Sequence, residues 1–318
     1  MNLLTMSFNA SILIAAILLL RALAIHRVPK RLFSLCWGVA IIRLLVPLSF
    51  PIQIPVLIKL TDPPVPILQE YVPSFVEMLP EQIILAWGIV SILLFIAFVV
   101  SYYRGYRDLS ISLPCNRPTV QNWLQLQKGK RSIQVRISDQ VSQPLTYGVV
   151  KPIIVLPKTL DLTDEQSLFA ILSHELSHIK RFDTGIKMLL ALVVCIHWFN
   201  PLVWVMYFLA NRDMELACDD LVIRRMDSRQ KAAYAQMLLD FSCNLHESAP
   251  LFSGFSRYAI PERITAIAKA KSRLSFSSVV GILAVMMAIV FVFLSFQRMP
   301  YLPGLTESTS SVVQSTDQ

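Results

Sequence analysis

The sequence predicts a mainly α-helical membrane protein in which four spanning helices bracket one water-facing region of mixed α and β structure, set between the third and the fourth. Three observations lead there. Of the 318 residues, 54% are hydrophobic and 16% charged, against roughly 25% charged in an ordinary soluble domain. A mean hydropathy of +0.56 calls for a sink for apolar surface beyond a packed core, because a folded soluble chain must still clothe its outside in polar groups. Four apolar stretches, at 3–25, 32–50, 82–103 and 277–296, are close to the ~20 residues that cross a hydrocarbon core as a helix. The basic residues beside those stretches are distributed unevenly, which sets their orientation.

The first span carries Arg21 near its end, from where the side chain can snorkel to the interface. Arg43 inside the second is a costlier placement that calls for a partner or water. Basic residues follow the first span and no small-residue cleavage site does, so it is not a removable signal peptide. Arg27, Lys30 and Arg31 fill the link between spans one and two, Arg104 and Arg107 follow span three, and Lys269, Lys271 and Arg273 precede span four. All three places belong in the cytoplasm. The segment 51–81 has one basic residue, Lys59, beside Asp62, Glu70, Glu77 and Glu81, and its prolines make it an extended external loop. The expected organisation is therefore three spans in 1–103, a cytoplasmic domain at 104–276, a fourth span at 277–296 and a disordered external tail at 297–318, in the cell membrane with both termini outside.

The net charge of +8 reflects this cytoplasmic excess; no basic run interleaved with aromatics suggests direct nucleic-acid binding. The five cysteines, Cys36, Cys115, Cys195, Cys218 and Cys243, are odd in number and never form C-x-x-C. They argue against a disulfide framework or a thiolate zinc site and suit a reducing compartment.

Within 104–276, Ile133, Val135 and Ile137 alternate as a strand, and Tyr147–Leu156 reads as a second, with Pro152 suited to a sheet edge. A helix starts at Thr163 with Gln166 completing a capping box, and Leu168, Ile171, Leu172, Leu176 and Ile179 recur at helical spacing. A fifth apolar run, 188–210, is long enough to span, but His197, Asn200 and Pro201 interrupt its centre. Proline removes a helical hydrogen bond and disfavours helix at the residue before it. Two short helices that dip into the inner leaflet and return fit better than one crossing.

The helix that follows Thr163 carries His174-Glu175-Leu176-Ser177-His178, an H-E-x-x-H. Residues four apart share a helix face, so both imidazoles can grip one Zn2+, while Glu175 beside them can take a proton from a water that the metal has acidified. With five His in the chain, chance placement gives this pattern at a frequency on the order of two in a thousand such sequences. A catalytic zinc needs a third protein ligand. Asp183, five positions past His178, is turned away from the ligand face; His197 lies in the apolar run, and His246 has no periodic context. Glu215 is the strongest candidate, since it opens Glu215-Leu-Ala-Cys-Asp219, where Asp219, one turn on, can accept the free N–H of a ligating histidine. Cys218 reads as a small buried residue and Asp220 as solvated. A metal held by both His174 and Glu215 requires 188–210 to return to the side it entered from. Arg212, His197 and Tyr234 are the candidates for stabilising an oxyanion.

The order of these features resembles the BlaR/MecR-type family of integral-membrane zinc metallopeptidases, the signal transducers and antirepressors of beta-lactam resistance. The matching stretches are Pro144-Leu-Thr-Tyr-Gly148 through Pro152-Ile-Ile-Val-Leu-Pro157, then His174-Glu-Leu-Ser-His-Ile-Lys-Arg-Phe-Asp183, His197-Trp-Phe-Asn-Pro-Leu-Val-Trp204 and Glu215-Leu-Ala-Cys-Asp219. The resemblance implies a gluzincin-type α+β peptidase domain on the cytoplasmic side that cuts a cytoplasmic repressor or itself, with His174, His178 and Glu215 as zinc ligands and Glu175 as the base. Beta-lactam sensors of that family carry a large external penicillin-binding domain after the last span. This sequence continues about 22 residues beyond it without an S-x-x-K, so direct antibiotic sensing is not expected. The expected partners are the bilayer and the protein substrate, and a homo-oligomer is compatible with the sequence. A non-enzymatic receptor or scaffold with structural zinc is the alternative, but it needs a fourth protein ligand, and no further Cys or His stands at ligand spacing. A transporter would want paired, interrupted repeats, which are absent.

Overall fold

A computed structural model describes residues 3–25, 28–46, 81–127, 131–224, 226–243 and 256–268. The expectations for the loop 51–80, for 277–296 as a span, for the tail 297–318 and for His246 fall outside these residues. In chain order the elements are α1 (Leu3–Ala24), α2 (Lys30–Leu45), α3 (Glu81–Ser110), β1 (Leu113–Pro114), α4 (Pro118–Leu126), β2 (Gln134–Ser138), β3 (Leu145–Tyr147), β4 (Ile153–Pro157), α5 (Glu165–Arg181), α6 (Asp183–Ile196), α7 (Pro201–Ile223), α8 (Ser228–Cys243) and α9 (Ser256–Ala268). Among the described residues the fold is mostly helical, with one small sheet in the order β1-β2-β4-β3.

Among the described residues, two helices are long and apolar enough to cross a membrane, α1 and α3. α3 buries none of its residues, and Ile89, Ile92, Leu93 and Phe95 stand open along it. The helix continues without a break to Ser110, so Arg104 and Arg107 lie on its last turns, beyond the apolar stretch 82–103. α1 packs instead with α2, α6 and α7 around Ile14, Phe33, Trp37, Leu190 and Met206. Arg21 does not snorkel outward: its guanidinium bonds Asp213 at 3.0 Å and Glu262 at 2.9 Å, and Trp37 Nε1 donates to the same Asp213 at 2.8 Å. A buried carboxylate supplies a stronger partner than distant headgroups. Arg43 is likewise buried within α2.

The run 188–210 is broken as the proline requires. α6 ends at Ile196, Asn200 caps α7 by accepting from the Leu202 amide, and Pro201 occupies the first turn, where its missing N–H costs nothing. His197 and Asn200 anchor this corner, His197 Nε2 to the Leu44 carbonyl at 3.1 Å and Asn200 Nδ2 to Ser7 Oγ at 2.8 Å.

The sheet corrects two expectations. Tyr147–Leu156 is not one strand but two, β3 and β4, joined at Gly148, whose φ of +85° favours glycine and where a Cβ would stand 2.5 Å from the Lys151 carbonyl oxygen. β4 lies inside the sheet, parallel to β2 and antiparallel to β3, so the edge strand on that side is β3. Pro152 is compatible with this because it precedes β4. The helix cap also moves by one residue. Asp164, not Thr163, accepts from the amides of Gln166 and Ser167, while Thr163 bonds back to Asp161. α5 then lays Leu168, Leu172 and Leu176 on the sheet with Ile154, Leu156 and Trp123.

Candidate metal centre

α5 and α7 cross so that His174, His178 and Glu215 meet. His174 Nε2 lies 3.2 Å from His178 Nε2 and 3.5 Å from Glu215 Oε2; His178 Nε2 lies 3.7 Å from Glu215 Oε1. A tetrahedral ion with ligands at about 2.0–2.1 Å sets them about 3.4 Å apart, so the two imidazole nitrogens and the Glu215 carboxylate are spaced as a group that could hold one metal ion. Cys218 approaches the other edge of the His178 ring, its Sγ 3.4 Å from Nδ1. No Cys or His among the described residues therefore supplies a fourth ligand on the Nε2 side.

Each imidazole is oriented from behind by a carboxylate. His174 Nδ1 is 3.2 Å from Asp219 Oδ1 and 3.0 Å from the Tyr234 hydroxyl, which donates to Asp219 at 2.8 Å. Arg263 clamps Asp219 through Nε and Nη2, both at 2.7 Å. His178 Nδ1 faces Asp183 Oδ2 at 2.8 Å. With Nδ1 carrying the proton toward a carboxylate, each Nε2 presents its lone pair to the centre.

The expectation that Asp183 points away fails for a backbone reason. Phe182 adopts φ 61°, ψ 32°, the left-handed region, and so separates α5 from α6. The chain doubles back and returns Asp183, 1% exposed, beneath His178. Asp220 is not solvated either; it is buried and paired with Arg224 at 3.0 Å.

Glu175 is buried beside the triad, and Thr146 of the edge strand donates to its Oε2 at 2.7 Å. Both line a cleft of about 240 Å3 with His174, His178, Glu215 and Arg263. Burial opposes charge on Glu215, but the His178 and His174 imidazoles outweigh it and hold its carboxyl well below the usual range. Lys187 at 3.7 Å and Arg263 at 3.5 Å add to this. Burial likewise opposes charge on His178, yet Cys218, Glu215 and Asp183 together raise its pKa. Of the three oxyanion candidates, Arg212 pairs with Glu262 and His197 bonds Leu44, while Tyr234 lines the cleft with its hydroxyl on the Nδ1 side of His174.

Thr146 and Arg263 were given no role in the sequence reading, and Asp183 was weighed there only as a ligand. Arg263 comes from α9, 44 residues beyond Asp219, and only the folded chain brings it there.

The family described as "BlaR1 peptidase M56" matches residues 1–267, and the chain belongs to that family. M56 peptidases are metallopeptidases, which agrees in class with a cluster that could hold a metal ion. Among its relatives are the "Regulatory protein BlaR1" of Bacillus licheniformis, 31% identical over 181 residues, covering 52% of this chain and 30% of the relative. The "Methicillin resistance mecR1 protein" of Staphylococcus aureus is 27% identical over 132 residues, covering 41% and 22%, and the "Regulatory protein BlaR1" of Staphylococcus aureus is 26% identical over 118 residues, covering 36% and 20%. The chain thus matches less than a third of the length of these relatives.

Proposed function

We propose that the chain is a membrane-embedded zinc metalloendopeptidase of gluzincin type that cleaves a cytoplasmic regulatory protein, a repressor or itself, in transmembrane signalling. The observation that carries this reading is the meeting of two imidazoles and one carboxylate at separations suited to one zinc, next to the buried carboxylate of Glu175. Membership of the M56 family supports it. His174, His178 and Glu215 hold the metal, Asp219 and Asp183 orient the histidines, and bound zinc supplies Lewis acidity and a water acidified toward a pKa of about 7.

Glu175 accepts the proton of the attacking water as the water oxygen adds to the peptide carbonyl, then delivers it to the amine nitrogen as the C–N bond breaks. Thr146 holds one carboxylate oxygen through its hydroxyl, which leaves the other for the water. The substrate backbone extends along β3, which pairs on its outer side with no strand among the described residues and whose Leu145 and Thr146 line the cleft. Main-chain pairing of this kind gives affinity with modest sequence demand.

The same reading places four helices across the bilayer, the fourth at 277–296, with 104–276 in the cytoplasm and α6 and α7 forming a hairpin that enters and leaves the inner leaflet. The open apolar length of α3 supports it, as does the return of the chain at 197–200, which keeps His174 and Glu215 on one side. The test compares cytoplasmic fragments from cells expressing wild-type and Glu175→Gln chains. Loss of defined fragments with zinc retained supports the reading; identical fragments refute it.

A further inference from the structure

On the opposite face of α5 lies a second and larger groove, of about 1040 Å3. At 3.6 residues per turn, its α5 residues, such as Ser173, Ser177 and Lys180, are centred roughly 150° from those of the metal cleft. Its walls bring together Arg31 of α2, Lys180 and Arg181 of α5 and Arg224 after α7, with no Asp or Glu among the described lining residues. The floor is apolar, formed by Phe169, Leu176, Ile186 and Val222. One end opens at Leu35, 67% exposed, on the outer face of α2. Arg181 donates from Nη2 to Ser34 Oγ at 2.9 Å and from Nε to Asp183 Oδ1 at 3.2 Å. Its Nη1 is buried without a hydrogen-bond partner among the described residues. A buried guanidinium nitrogen left unpaired is costly and marks a place for an acceptor.

We propose that this groove binds an anionic phospholipid, its phosphate held by Arg181, Arg31 and Lys180 and its acyl chain leaving over Leu35. The inference rests on the membrane reading above, which sets Lys30 and Arg31 at the cytoplasmic surface, where basic pockets between helices take anionic headgroups. A soluble acidic peptide would have no use for a floor that continues onto the open apolar side of α2. Occupancy reaches the metal centre, because Arg181 shares Asp183 with His178.

The full chain, purified in neutral detergent, is offered equal phosphatidylglycerol and phosphatidylcholine, and retained lipid is read by native mass spectrometry. Phosphatidylglycerol is retained in preference; Arg31→Gln and Lys180→Gln, both at exposed positions, each weaken its retention about fivefold, the factor expected per basic residue. Lys158→Gln, an exposed cation outside the groove, leaves it unchanged. Equal retention of both lipids, indifference to Arg31→Gln and Lys180→Gln, or displacement by inorganic phosphate or an acidic peptide would overturn the proposal. Failure of the membrane reading shows separately, as labelling from outside the cell of a cysteine placed at position 230.

Discussion

Asp183→Asn removes a charge while conserving volume, and its effect can be worked from the contacts of one buried side chain. Asp183 Oδ2 accepts from His178 Nδ1 at 2.8 Å and Oδ1 from Arg181 Nε at 3.2 Å. Both neighbours are donors, so an amide can satisfy only one of them and must turn its NH2 toward the other. Leaving a buried donor unsatisfied costs about 1–3 kcal/mol. Loss of an orienting partner behind a ligating histidine typically lowers metal affinity about 10–100-fold, or about 1.4–2.8 kcal/mol, so the two estimates agree. Zinc affinity of the purified chain, measured by competition with a chromophoric chelator, is therefore expected to fall by that factor while helical circular dichroism is unchanged. Affinity within about twofold of wild type would refute the orienting role, since a twofold change is less than about 0.5 kcal/mol.

Thr146→Val deletes the hydroxyl that holds Glu175 without opening a large void; zinc content should stay the same while kcat falls by about 10- to 100-fold, the worth of one hydrogen bond to a charged group. An unchanged kcat would remove Thr146 from the account. Asp164→Ala strips the cap from α5 and should lower stability by about 1 kcal/mol, read as a lower Tm in detergent. The Ser167 hydroxyl and amide and the Gln166 amide hold the Asp164 carboxyl below its ordinary value. Its folded pKa being depressed, the contribution is complete above the unfolded pKa of about 4 and is lost as pH falls through the folded value. The gap between Asp164→Ala and wild type should thus close in acid, and a gap that widens there would contradict the cap.

What the sequence displayed of this centre was local to single helices. His174 and His178 are related by four residues within α5, Glu215 and Asp219 by four within α7, and such relations survive any tertiary arrangement. Pro201 after Asn200 likewise marks a helix boundary wherever it stands. Asp183 was misjudged because phase was extrapolated through Phe182, whose left-handed backbone no propensity announces for a bulky residue. The merged strand had a similar cause: Gly148 lies inside an apolar run that reads as continuous, yet its positive φ turns β3 back on β4. Arg21 looked like an interfacial residue because its partners, Asp213 and Glu262, lie 192 and 241 residues away. Thr146 and Arg263 were invisible for the same reason, as polar residues whose meaning is wholly long-range.

The central claim is that His174, His178 and Glu215 together hold one zinc, and the zinc content of the purified chain tests it most directly. Wild type should carry stoichiometric zinc by elemental analysis, Glu175→Gln should retain it, and Glu215→Ala and His174→Ala should each be depleted at unchanged helical content. A zinc-free wild type, or full zinc occupancy in Glu215→Ala, would contradict the account.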